Sequence, residues 1–290
     1  MRPSSTAALL AFFIGLVGIL AFDALTARMD FMGALPISSV MILAQAFFFG
    51  LPTLLYFWRK PEHRPALRLH PIRLSTGLLI GLSALVGTLA LSNLAEYWRF
   101  ALDWMGLPLA QEIAVSPQTS VQLLHVLLAA AIAPALFEEL LFRGFLLPSM
   151  EPYGPKWAIF ISGILFALLH GRIEALPTHL VLGMLLSYLV LRTGSLWSAI
   201  LYHGIHNAAI MIIIFFANMF PQLEQMPRGS LLVLLFAWGG LLYYALWCGD
   251  RRREARRLPR AVQATMPALS VILLAACVVL LLMTQVIALL

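Results

Sequence analysis

Glu138, His170, His203 and Asn207 are the residues of this sequence whose types and settings suit the breaking of an amide bond. Each interrupts an otherwise apolar stretch, and an ionisable group in such a stretch is a functional hypothesis by default. Amide hydrolysis needs an activated water and donors for the oxyanion that develops. A carboxylate takes the water's proton, and one imidazole orients that water. A second imidazole, with an amide NH₂, donates to the oxyanion. Glu138, His170, His203 and Asn207 supply those parts.

Their neighbours are as specific. In Glu138-Glu139-Leu-Leu-Phe-Arg143 the second acid and the arginine are four apart, the favourable order for an ion pair on one helix face. Glu139 is then neutralised, and Glu138, about 100° further round the helix, faces something else. In Phe166-Ala-Leu-Leu-His170 the histidine ends an apolar run. The turn Glu151-Pro152-Tyr153-Gly154-Pro155 lies midway between Glu138 and His170, so a helical hairpin places both at similar depth. In His203-Gly-Ile-His206-Asn207 the first and last residues share a helix face, and His206 is expected to support rather than act. His125, His179, Asn93 and Asn218 read as structural.

The elements that carry these residues are membrane spans. Of 290 residues 61% are hydrophobic and 11% charged, and mean hydropathy is +0.91. A soluble domain of this length carries about 25% charged residues, so lipid is the solvent for most of this surface. A spanning helix needs about 20 mostly apolar residues. Candidate runs are 6–25, 32–57, 74–94, 121–147, 157–169, 176–191, 196–218, 231–247 and 268–290. The fold class is therefore all-α, a polytopic transmembrane bundle of eight or nine spans. Residues 1–290 form one membrane domain, with a catalytic core over 121–218 and accessory spans over 1–120 and 230–290. The run at 157–169 and its successor are short, as re-entrant or water-lining segments are. The mixed segment from Glu96 to Glu112 reads as an interfacial helix.

A net charge of +6 and a pI of about 9.7 do not point to nucleic acid, because the basic residues sit in short loops. With the amino terminus in the cytoplasm and spans alternating, the outer side receives only Arg28, Arg99, Arg172 and Arg228 of the 19 basic residues. Arg251 to Arg260 all fall inside, as the positive-inside rule requires. Trp58, Trp157, Trp197 and Trp247 fall at inner span ends. Arg2 precedes the first run and Ala24-Leu25-Thr26-Ala27 resembles a cleavage site. That run is longer than a usual signal core and more spans follow, so it is read as an uncleaved span. Asp23 near its end has no partner readable from sequence. Cys248 and Cys277 belong to no CxxC and read as small apolar residues.

Glu138-Glu139-x-x-x-Arg143, Phe166-x-x-x-His170 and His203-x-x-x-Asn207, in this order on three helices, resemble the type II CAAX prenyl endopeptidase family. Its bacterial CPBP branch includes bacteriocin-processing and bacteriocin-immunity proteins. The segment Leu191-Arg192-Thr193-Gly194-Ser195-Leu196-Trp197 is similar to the same family. The resemblance covers roughly Leu123 to Phe216. It implies a helical intramembrane endopeptidase with a conical active-site cavity. Glu138 would be its general base, His170 the water partner, and His203 and Asn207 the oxyanion donors, with Glu139, Arg143, Phe166 and His206 in support. It also implies a membrane-associated protein or peptide as substrate, and a bacterial cytoplasmic membrane as location. No cofactor is expected. The alternative is zinc held by Glu138, His170 and His203 with an open position, although there is no HExxH and that reading leaves Asn207 and the base unassigned. Rival functions are a proton-coupled transporter, since intramembrane Glu and His also relay protons, and a non-proteolytic immunity protein on the same scaffold. The transporter reading lacks an internal repeat. Substrate identity and oligomeric state are not legible.

Overall fold

The computed structural model describes residues 1–26, 37–107, 117–220, 230–248 and 265–287. The Asp23, Trp247 and Cys248 side chains, Arg28, Arg228 and the basic loop Arg251 to Arg260 lie outside what it describes. Every regular element among the described residues is helical. Six helical segments are long and apolar enough to cross a membrane: α1 (Ser5–Phe22), α2 (Ser38–Arg59), α3 (Leu74–Trp104), α4 (Ser120–Tyr153), α6 (Ile173–Thr193) and α7 (Trp197–Met219). Three shorter apolar helices complete the set: α5 (Pro155–Leu169), α8 (Leu231–Leu246) and α9 (Ala268–Thr284). Each corresponds to one of the apolar runs, and the chain is a multi-pass membrane protein.

The bundle is built around α4. Its second half is apolar on nearly every face, and Leu141, Phe142, Phe145, Leu146, Leu147 and Met150 are all fully buried. A helix that is apolar all round must be surrounded. Here α1, α2, α5, α6 and α7 surround α4. Two stretches of α4, Leu127–Ile132 and Leu140–Leu146, are wound as π-helix, a form that concentrates at functional sites. Glu138 and Glu139 sit between them.

Small residues set the closest crossings, as expected where lipid gives helices no hydrophobic drive to associate. A Cβ on Gly183 of α6 would lie 3.0 Å from the Gly163 Cα of α5 and 3.1 Å from the Phe166 ring. A Cβ on Gly50 of α2 would lie 2.7 Å from the Phe137 ring of α4. On the far side, Gly87 of α3 makes room for the Tyr202 hydroxyl and the Trp238 indole.

The ends of the helices test the alternation of spans. Glu151, at the α4–α5 turn, is buried and paired with Arg2 at 3.0 Å and Arg68 at 2.6 Å. Ser5 hydrogen-bonds Tyr153 at 2.8 Å and Ser270 at 2.9 Å. Leu196 N–H donates to the Arg68 carbonyl at 2.9 Å, and Ser195 Oγ to the His70 carbonyl. The amino terminus, the α2–α3 loop, the α4–α5 and α6–α7 turns and the start of α9 thus share one face. Trp98 Nε1 donates to the Ile173 carbonyl at 2.8 Å, joining the far end of α3 to the start of α6 at the other face.

One expectation is corrected. From Glu96 to Trp104 the chain is not a separate interfacial helix but the continuation of α3. No Pro or Gly lies between Leu94 and Met105 to break it. The helix stops at Gly106, whose φ of +71° supplies the left-handed residue that ends many helices. Residues 108–116, the rest of that segment, lie outside the described residues.

Candidate active site

Glu139 is the hub. Its Oε1 accepts from Arg143 Nη1 at 2.8 Å and from His203 Nδ1 at 2.9 Å. Arg143 is fully buried, and its other two nitrogens are also engaged. Nη2 donates to the Gly183 carbonyl at 2.7 Å and Nε to Ser187 Oγ at 3.3 Å. The guanidinium carbon lies 4.6 Å from the centre of the Phe166 ring, within cation–π range. An arginine in the middle of a membrane bundle is costly unless paired and hydrogen-bonded, and α4 and α6 together meet that demand.

His203 passes the chain onward. Its Nδ1 hydrogen goes to Glu139, and its Nε2 accepts from Asn207 Nδ2 at 3.1 Å. The other Asn207 hydrogen goes to the Ala130 carbonyl at 3.0 Å. Pro134 explains that bond: it has no N–H, so the carbonyl four residues earlier lacks its α-helical donor, and the side chain of a neighbouring helix replaces it. Both Asn207 hydrogens are therefore committed inside the protein in this arrangement.

Glu138 points to a different partner. It is buried, and its Oε1 accepts from Gln45 Nε2 of α2 at 3.0 Å. Its Oε2 is buried with no hydrogen-bond partner. It lies within electrostatic range of His203, Glu139 and Arg143. No hydrogen bond joins it to His170 among the described residues.

His170 caps α5. Its Nδ1 donates to the Phe166 carbonyl at 2.8 Å, which is why the motif spaces the two residues by four, and leaves Nε2 as the open acceptor. Gly171, with φ +64°, turns the chain away. The Phe166 ring bridges the groups, with centroids 4.8 Å from His170 and 5.7 Å from His203. His206 looks elsewhere. Thr88 on α3 donates its hydroxyl hydrogen to the Ala84 carbonyl at 2.8 Å, so its oxygen accepts from His206 Nδ1 at 2.8 Å. The His203 and Asn207 face of α7 thus meets α4, while the Tyr202 and His206 face meets α3.

Two participants were not singled out by the motifs. His179 stacks on His170 with centroids 3.8 Å apart and ties its Nδ1 to the Ala175 carbonyl at 2.8 Å. The signal was present: His179, Gly183 and Ser187 recur every four residues and form one small or polar face of α6. Gln45 is a lone amide in an apolar run.

Among the described residues no three His, Cys, Asp or Glu side chains form a group that could hold a metal ion, and the set Glu138, His170 and His203 is not such a group. Both ring nitrogens of His203 are already engaged. No curated protein and no solved structure matches the chain. Residues 120–209, which hold Glu138, Glu139, Arg143, Phe166, His170, His203, His206 and Asn207, match the family described as Type II CAAX prenyl endopeptidase Rce1-like.

Proposed function

We propose that the chain is an intramembrane endopeptidase that hydrolyses a peptide bond in a membrane-associated protein or peptide, by CAAX-type or leader-type processing, without a metal. The observation that carries the reading is the hydrogen-bonded chain Arg143–Glu139–His203–Asn207 beside a second buried acid, Glu138, with one free carboxylate oxygen. Arg143 offsets the charge of one acid only, so the two carboxylates differ in kind. Glu139 is locked as an acceptor, and Glu138 is left to exchange protons.

In this mechanism Glu138 takes a proton from water as the water oxygen bonds to the scissile carbonyl carbon. His170 holds that water through its open Nε2. His203 takes up one proton from solvent at Nε2 and then donates from Nδ1 to Glu139 and from Nε2 to the oxyanion. Asn207 Nδ2, released from His203, is the second donor. The Glu139 carboxylate stabilises the imidazolium, the role an orienting acid plays beside a catalytic histidine. Glu138 then gives its proton to the leaving amine as the C–N bond breaks. The reading further puts the amino terminus and the Glu151 face on the cytoplasmic side of a bacterial inner membrane, because the described basic loops lie on that face.

The test is Glu138→Gln, which keeps the shape and the Gln45 contact but removes the base. The purified variant is expected to lose about 10²–10⁴-fold in cleavage rate with an unchanged unfolding temperature. Chelators are expected to leave wild-type cleavage intact. Cleavage by Glu138→Gln at the native rate rules the mechanism out.

A further inference from the structure

We propose that Gln45 is a positioning residue of the same site: it orients the Glu138 carboxylate and, through its own carbonyl oxygen, completes the place where the attacking water sits. The inference rests on the peptidase reading above. It adds a helix that lies outside residues 120–209.

Three observations lead to it. Gln45 Nε2 donates to Glu138 Oε1 at 3.0 Å, and it is the sole hydrogen-bond donor to that carboxylate among the described residues. Gln45 Oε1 and Glu138 Oε2 are both buried with no partner. The backbone brings α2 to α4 at this level by design. The turn Ala46–Gly50 is π-wound, with hydrogen bonds between residues five apart, so Gln45 and Gly50 come round to nearly the same face. Gly50 then meets Phe137, the residue before Glu138, with no room for a Cβ.

Two buried acceptors with no donor are unfavourable in a lipid-embedded interior. One carboxylate oxygen and one amide oxygen, on groups already joined by their other ends, form a pair of acceptors for one small two-hydrogen donor. Water is that donor. A water so placed gives one hydrogen to Glu138 Oε2, which is the proton the base removes, and the other to Gln45 Oε1, shared with the His170 Nε2 acceptor. Its lone pair is then directed away from both, toward the carbonyl carbon. As the C–O bond forms, the water O–H bond to Glu138 breaks; the proton later leaves with the amine nitrogen, and Gln45 is unchanged throughout. The ordinary alternative is that Gln45 is polar glue between two helices. That alternative predicts an effect on stability and none on turnover.

Gln45→Met separates the two, because methionine fills the same space with no donor or acceptor of that strength. The probe is an internally quenched farnesylated CAAX peptide in detergent micelles. Gln45→Met and Gln45→Ala are expected to lower kcat by about 10- to 100-fold, the loss of one hydrogen bond to a charged group. KM should stay within about twofold, a loss confined to turnover that a purely structural contact would not give. A Gln45→Met enzyme with native kcat overturns the proposal. A wild type that cleaves neither this probe nor a leader peptide sinks the peptidase reading instead. Infrared spectroscopy then still decides on Gln45. Wild type minus Glu138→Gln isolates the Glu138 carboxyl band, which Gln45→Met is expected to shift; an unmoved band overturns the proposal with no substrate involved.

Discussion

Asn207 on α7 and Pro134 on α4 are coupled through one carbonyl, and that coupling is measurable. Asn207→Leu leaves the Ala130 carbonyl and His203 Nε2 without their donor, a loss of about 1–3 kcal/mol per buried group. Pro134→Ala restores a backbone N–H that can serve Ala130. The Asn207→Leu penalty in thermal unfolding should therefore be smaller in the Pro134→Ala background, and equal penalties in both would refute the coupling. Arg143→Met is expected to be worse, at about 3–5 kcal/mol, because Glu139 stays buried without its cation. Arg143→Lys should not restore stability, since three separate acceptors are met by one rigid fork. At this scale the sequence was informative where spacing is local: Glu139 and Arg143 four apart, His203 and Asn207 four apart. It was silent on Gln45, whose partner is 93 residues away and whose amide breaks no pattern. It gave no sign either of the His179 ring beside His170, because a single histidine near a helix start does not show that another ring will lie on it.

Among elements, the α5–α6 crossing governs the site. Gly183 supplies the carbonyl that Arg143 Nη2 binds and lies against Gly163 and Phe166. A methyl group there pushes on backbone, which cannot yield as a side-chain tip can. Gly183→Ala should shift Phe166 and Arg143 and reduce cleavage strongly, whereas Gly239→Ala and Gly240→Ala on α8, where an added Cβ meets nothing within 4 Å, should be neutral. Equal effects at the three positions would mean the crossing does not control the site. The spans themselves were legible, because an apolar run must lie in lipid whatever it packs against. The end of α3 was not. Mixed polarity after Leu94 suggested a new surface element, but a helix continues until something stops it, and nothing does before Gly106.

For the whole molecule, the buried Glu151 ties the amino terminus and the α2–α3 loop to the α4–α5 turn. Glu151→Ala leaves Arg68 without that carboxylate while Arg68 holds a positive φ of 53°. Limited proteolysis should then cut the loop over residues 60–73 faster than in the wild type; an equal rate would show that the latch is dispensable. The proposed orientation is checked by a single cysteine at exposed Glu62, expected to react with an impermeant thiol reagent from the cytoplasmic side only. Alternation of charge anticipated which loops share a face, because loops on one side of a membrane have no other place to go. It gave no information on which of them would bond to one another.

In the proposed mechanism Glu138 acts as a base on water and not as a nucleophile. Single-turnover cleavage in water labelled with heavy oxygen, followed by mass spectrometry of both product and protein, tests it most directly. One heavy oxygen is expected in the new product carboxyl and none in Glu138. Label appearing in the Glu138 carboxyl, or products released without label, would contradict it.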